Sequence, residues 1–393
     1  MLLLVIVVSM PSLDLAMPIA LFLVVTFAML LNKRTEGRLM ATVEEKQFKT
    51  RDIVLLIVFM AIVISVIAYT SLIAPEQVFS NIFLIIFLGS YTMLLFTFAY
   101  VFSNLTKKRA QLISLGFGVV GVIAGLGSLL APLLDAFSVY RAIAFFGLAV
   151  FCFAAIAVEQ KKTDVKARWY VAAQPPAAFV LLFLLFNVFY SGPFPIWAPY
   201  IMDVFGLTFA ILIILYLSSL FSWKTVGLFA VLLTTMDIIL VIGTPAMLTA
   251  ANTFSGLGLP VLVYLPNVPL IFNPELVYRG LGLGDFFFAG VLAVQAYNKF
   301  GKKIALVTIA AEAISFGIWE AYLREIIDWL TPILGRNIGG FPGTLMILTG
   351  WAPIIVLALV LTRKNKPAPT PIVAPQPSEA PAEAPKDPSL PVQ

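Results

Sequence analysis

Residues 231–244 read VLLTTMDIILVIGT and residues 278–293 read YRGLGLGDFFFAGVLA. Each is an apolar run holding a single acid, Asp237 in the first and Asp285 in the second. A carboxyl group carried to the middle of a bilayer costs roughly 2.5–3.5 kcal/mol on insertion scales, so an acid at that depth marks a functional site by default. Two such acids at matching depth point to a catalytic pair.

The rest of the chain agrees that these runs cross a membrane. Of its 393 residues 61% are hydrophobic and 11% are charged, against ~25% charged in a soluble domain. Mean hydropathy is +1.01. Apolar stretches of about 20 residues, enough to span a bilayer, recur along nearly the whole length. The dyad alternation of a membrane barrel is absent. The fold class is therefore an all-α polytopic membrane protein. Eleven spans are expected (nine at the fewest), at 2–31, 52–74, 78–101, 110–134, 138–159, 169–190, 204–222, 225–248, 276–298, 304–323 and 342–362. The chain divides into an N-terminal transmembrane region (1–203), a catalytic transmembrane region (204–362) and a Pro/Ala-rich tail (363–393) that lacks the aromatics to bury a core.

Charge gives the orientation. Twenty-one of the 25 Lys and Arg residues fall after alternate spans or in the tail, and the other four are Arg141, Arg279, Arg324 and Arg336. The positive-inside rule then puts the N-terminus outside and the C-terminus in the cytoplasm, in the cell membrane if the organism is a prokaryote. It also explains the net charge of +5 without nucleic acid as a partner. The chain has no histidine and one cysteine, Cys152. That excludes an intrachain disulfide, Ser-His and Cys-His nucleophiles and HExxH zinc chemistry.

Asp237 lies 13 residues beyond Lys224, and Asp285 lies 14 residues before Lys299. At ~1.5 Å per helical residue both acids sit about 20 Å from the cytoplasmic markers of neighbouring antiparallel helices. Two nearby carboxyls in a low dielectric do not both ionise, so they share one proton. The ionised partner can take a proton from water, which attacks a peptide carbonyl, while the protonated partner donates to the carbonyl oxygen. Neither metal nor organic cofactor is required, and either aspartate can play either role. The residues alone leave other readings open: helix-packing hydrogen bonds, a proton or cation path in a transporter or channel, or a non-catalytic scaffold. A transporter would be expected to carry inverted repeats, and the sequence has no such internal symmetry.

The motif Gly282-Leu283-Gly284-Asp285 and the preceding Asp237 resemble the intramembrane aspartyl proteases of the presenilin and signal peptide peptidase family, whose signature is GxGD. The run from Asp237 through Gly243-Thr244 to Thr249 is similar to the signal peptide peptidase branch, as is PVLVYLP at 260–266. The resemblance covers roughly 225–362. It implies an aspartic endopeptidase that cuts peptide bonds inside transmembrane segments or signal peptide remnants. Asp237 and Asp285 would be catalytic, and Gly282 and Gly284 would shape the approach. The family's PAL motif falls at Phe341-Pro342-Gly343-Thr344-Leu345, where only proline is kept, so Pro342, Gly343, Thr344 and Leu345 are the expected docking residues. Met236 stands where the family usually has tyrosine. Seven spans precede the pair where the family has five. The implied partners are transmembrane peptides and the bilayer; no accessory subunit can be named.

Further expectations follow from single residues. The five residues between Pro260 and Pro266 are rich in β-formers. Cutting a membrane helix requires unwinding it, and an exposed strand at Pro260, Leu262 and Tyr264 could pair with the unwound segment. The loop carrying it, 249–275, is read as outside. Glu312 is a third intramembrane acid, available to tune the pair or to bond a neighbouring helix. Glu320 and Arg324 are spaced to form an i,i+4 ion pair. Trp223, Trp329 and Trp351 are expected at the membrane interfaces, Pro175 and Pro176 should kink the sixth span, and 191–203 should lie on the outer surface.

Overall fold

A computed structural model describes residues 14–40, 48–73, 77–101, 106–130, 137–161, 168–192, 194–244, 246–266, 268, 278–335 and 340–364. The tail from 365 onward, and the start of the first expected span with Pro11, lie outside the described residues.

The first half of the chain supplies α1 (Ala16–Met40), α2 (Thr50–Ile73), α3 (Gln77–Val101), α4 (Lys107–Leu130) and α5 (Ser138–Lys161). The sixth span is broken into α6 (Trp169–Ala172) and α7 (Gln174–Phe183), joined at Ala173, and relaxes into a π-helical turn at Leu184–Val188. Pro175 and Pro176 occupy the first turn of α7, where a missing N–H costs nothing, so the break falls just before them. Glycines on α4 let α5 come close: a Cβ at Gly121 would stand 2.8 Å from the Phe145 carbonyl oxygen.

The second half contains α8 (Met202–Ser218), α9 (Trp223–Ile238), α10 (Ala246–Gly256), β1 (Leu262–Pro266), β2 (Tyr278–Gly282), α11 (Leu283–Phe300), α12 (Lys302–Ala321), α13 (Leu323–Leu334) and α14 (Gly343–Lys364). Ser222 and Thr225 form a reciprocal capping box at the start of α9. Gly335, with φ +66°, closes α13 in the left-handed conformation that favours glycine.

Among the described residues ten helical stretches are long and apolar enough to cross a membrane. The remaining expected span, 276–298, the ninth in order, is built otherwise. Its first described residues, from Tyr278, are a strand, and the helix begins at Leu283. That helix, α11, is enclosed by protein: every residue from Phe286 to Ala296 is buried. Asp285, Gln295, Asn298 and Lys299 lower its apolarity, while its Ala and Gly positions allow close packing, as membrane interiors demand. Gly290 is the tightest case, since a Cβ there would lie 2.5 Å from the Ile214 side chain. Helices α1, α8, α9, α12 and α14 pack around α11, and one buried core runs from Met17 to Ile355.

Four other expectations change. The span expected at 225–248 stops early: α9 opens into a π turn at Ile239–Gly243, and α10 is a separate helix. The long loop at 249–275 therefore holds most of α10 and all of β1. Residues 197–201, expected on the outer surface, open the seventh apolar stretch; Tyr200 is 64% exposed, whereas Trp197 is buried with its indole N–H donating to the Gly258 carbonyl (2.7 Å). Trp351 is buried beside Trp223 (centroids 6.3 Å), whereas Trp329 is 66% exposed.

Candidate active site

Asp237 sits in the last turn of α9, directly before the backbone loosens into its π turn, a feature frequent at functional sites. Asp285 is the third residue of α11 rather than the middle of a span, because β2 occupies the residues ahead of it. Gly282 is the N-cap of α11, and its N–H is directed to the Asp285 carboxyl. This is the acidic half of a capping box, with the side chain at the third position reaching back to the cap.

The two carboxyls meet at the start of α14. The Thr344 hydroxyl donates to Asp237 Oδ2 at 2.6 Å, and the Thr344 N–H lies 3.3 Å from the same oxygen. One residue earlier, the space a Cβ would need at Gly343 is taken by Asp285, with Oδ1 at 2.5 Å and Cγ at 2.7 Å. Successive residues of one backbone thus adjoin one carboxyl each, and the two carboxyls are near enough to interact electrostatically. Helix N-termini present N–H groups and positive dipole ends. Asp285 lies at the N-terminus of α11, and Asp237 faces that of α14.

Both aspartates line one cavity of about 230 Å³. A water occupies ≈ 30 Å³ of liquid volume, so the space accommodates a water beside a stretch of extended peptide. Its other walls are apolar, among them Met60 and Ile64 of α2, Met236 of α9, Phe254 of α10 and Leu262 of β1. Gly282, Leu283, Gly284 and Thr344 complete the lining near the carboxyls. A Cβ at Gly284 would meet nothing within 4 Å, while one at Gly282 would lie 3.3 Å from Asp285 Oδ2.

The expected docking residues divide. Gly343 and Thr344 contact the carboxyls, but Pro342 and Leu345 do not line the cavity; the Pro342 carbonyl accepts from the Leu345 N–H (3.2 Å) in the first turn of α14. Pro260 is buried, its carbonyl accepting from the Tyr91 hydroxyl of α3 (3.3 Å). Leu262 lines the cavity, whereas the Tyr264 ring covers Gly280 and its hydroxyl bonds Ser255 (2.9 Å). Glu312 is fully buried on α12, does not line this cavity, and neither of its carboxyl oxygens has a hydrogen-bond partner among the described residues. Glu320 pairs with Arg279 of β2 (3.2 Å) rather than with Arg324.

The strand at 262–266 exists but is not an exposed one. It pairs antiparallel with β2, with Leu262 opposite Gly282 and Tyr264 opposite Gly280. The Leu283 N–H also donates to the Val261 carbonyl (2.9 Å). In an antiparallel ladder alternate residues point their backbone groups at the partner, so Val261, Val263 and Leu265 face β2, and Leu262, Tyr264 and Pro266 face away. That far edge is largely closed. Asp203 Oδ1 accepts the Tyr264 N–H (2.7 Å), Pro266 has no N–H, and beyond the strand Asp14 Oδ1 accepts the Val268 N–H (2.9 Å). By the same register the outward backbone groups of β2 belong to Tyr278, Gly280 and Gly282, of which Tyr278 and Gly280 are exposed. Among the described residues the open stretch of edge is therefore that of β2 at Tyr278 and Gly280, two to four residues before the Gly282 cap of Asp285.

Asp203 was not legible in the sequence as part of this site. Its partner is a backbone N–H 61 residues away, and nothing in the side-chain pattern signals a main-chain bond. No family model, curated protein or solved structure matches the chain.

Proposed function

We propose that this protein is an intramembrane aspartyl endopeptidase that hydrolyses peptide bonds within transmembrane segments or signal peptide remnants, in the manner the resemblance to the presenilin and signal peptide peptidase family implies. The observation that carries the reading is that Asp237 and Asp285 line one and the same apolar-walled cavity. In the proposed reaction one carboxylate takes a proton from water. The oxygen of that water bonds to the peptide carbonyl carbon, and the other carboxyl gives its proton to the carbonyl oxygen. Collapse of the tetrahedral intermediate breaks the C–N bond, and the amine leaves with a proton from the pair. The chemistry is carried by the two carboxyls alone.

The β2 edge supports the same reading. An unwound substrate helix must satisfy its exposed backbone groups, and adding as a strand along Tyr278 and Gly280 would do so while delivering its backbone toward the carboxyls. The proposed orientation, with the hairpin on the outer side and α14 ending in the cytoplasm, follows from the distribution of Lys and Arg.

A purely structural role has one observation in its favour: the carboxyls already bond the starts of α11 and α14. Reconstitution separates the readings. Wild-type protein in lipid nanodiscs, incubated with a single-span peptide, is expected to yield fragments cut inside the apolar segment, read by mass spectrometry. An intact peptide, together with Asp-dependent proton or cation flux in liposomes, would replace the protease with a transporter. An intact peptide and no flux would leave a scaffold.

A further inference from the structure

Helix α13 differs from every long helix of the fold. None of its 12 residues is buried. Tyr322 immediately before it is 49% exposed, Trp329 is 66% exposed and Ile333 is 61% exposed. With half-buried Ile326 these form one stripe at helical spacing. Arg324, Glu325 and Asp328 lie off that stripe.

The stripe continues a surface already exposed on α12. Val307, Ile314 and Ile318 of α12 are 53%, 62% and 55% exposed, and their spacing runs on through Tyr322 into Ile326, Trp329 and Ile333. The 20 residues of α12 at ~1.5 Å each already match the ≈ 30 Å hydrocarbon core. At Tyr322 the backbone leaves helical geometry (φ −101°, ψ 12°). A helix that begins where the core ends, with three charges in its first six residues, has no hydrocarbon left to cross. Its apolar stripe can still reach hydrocarbon if the helix lies flat.

The geometry points to α13 as an in-plane helix seated in the lipid headgroup region, on the membrane face that carries the β-hairpin, with Tyr322, Ile326, Trp329 and Ile333 dipped toward the acyl chains. Its occupant is therefore lipid, and the attraction is apolar: one Arg against one Glu and one Asp gives no preference for anionic headgroups. The opposite side of α13 has its own partner. Leu323, Ile327 and Asp328 face Arg279, Gly280 and Glu320 across a cleft of about 410 Å³. That cleft adjoins the outward edge of β2, so the lipid seat of α13 would set one wall of the approach to Asp285. The inference does not rest on the protease reading.

Because Cys152 is the sole cysteine and is buried, Cys152→Ala gives a background for nitroxide labels placed one at a time. Labels at Ile326→Cys, Trp329→Cys and Ile333→Cys, in phosphatidylcholine nanodiscs, should relax with lipid-soluble oxygen and lose relaxation by a water-soluble nickel complex. Labels at Arg324→Cys and Glu325→Cys should do the reverse. Nickel access at all five sites would place the helix in water and overturn the inference. Shielding of 329 and 333 from both reagents would overturn it too, by assigning the stripe to a protein partner such as a second copy. Residues 329 and 333 are both exposed, so neither label removes packing, and either alone decides the outcome.

Discussion

Replacing Gly343 by alanine isolates the geometry on which the proposed chemistry depends. The added Cβ would stand 2.5 Å from Asp285 Oδ1, against an ordinary contact of 3.4 Å or more. Either the carboxyl or the start of α14 must move by about 0.9 Å, and a displacement near 1 Å of a positioned group can cost ~100-fold in rate. A hundredfold loss corresponds to about 2.7 kcal/mol of barrier. Stability should fall modestly, since an overpacking cost of roughly 1–3 kcal/mol is offset only in part by the roughly 0.5–1 kcal/mol gained on replacing glycine in a helix. The assay is the single-turnover rate of peptide cleavage in nanodiscs, beside the thermal midpoint of the same preparation. Gly340→Ala is the control, because a Cβ there meets nothing within 4 Å. A loss of rate larger than any fall in the midpoint accounts for is expected for Gly343→Ala, with the control unaffected. A Gly343→Ala rate within about twofold of wild type would refute the reasoning, since a crowded catalytic carboxyl cannot be indifferent to that atom.

Two further outcomes follow from the same site. Thr344→Val keeps the shape but removes the hydroxyl donated to buried Asp237; losing a hydrogen bond to a charged group costs ~1.5–3 kcal/mol, so cleavage should fall roughly 10–100-fold and Thr344→Ser should restore it, as read by kcat. Leu262→Pro removes an N–H that the register points away from β2 and replaces a side chain that lines the cavity, so the protein should remain folded by its thermal midpoint while substrate cleavage is crippled; unchanged turnover would mean that the Leu262 wall of the cavity takes no part in handling substrate.

The spans and the two aspartates were legible because each depends on a one-dimensional signal: apolar run length, and an acid where none belongs. The matched depths of Asp237 and Asp285, counted from Lys224 and Lys299, led to one cavity. What the sequence hid depends on pairing. RGLGL at 279–283 reads as the start of an apolar helix, and only its ladder with 262–266 makes it mostly strand. Asp203 closes an edge through a main-chain N–H. Glu320 could choose between Arg324 one turn on and Arg279, and took the residue that folding brought near. The central position of α11 was likewise invisible. Gln295 reads as a stray polar residue in a span, yet its amide donates to the carbonyls of Ser218 (3.1 Å) and Phe221 (2.8 Å), tying α11 to the turn between α8 and α9.

Whether the two carboxyls act as one unit is decided by a cycle of Asp237→Asn, Asp285→Asn and the double variant, each assayed for cleavage of the single-span peptide in nanodiscs after its fold is verified. Groups that work as a unit are grossly non-additive. The account predicts that either single change abolishes cleavage and that the double change is no worse than the singles. A single variant that keeps the wild-type rate, or losses that multiply in the double, would contradict it.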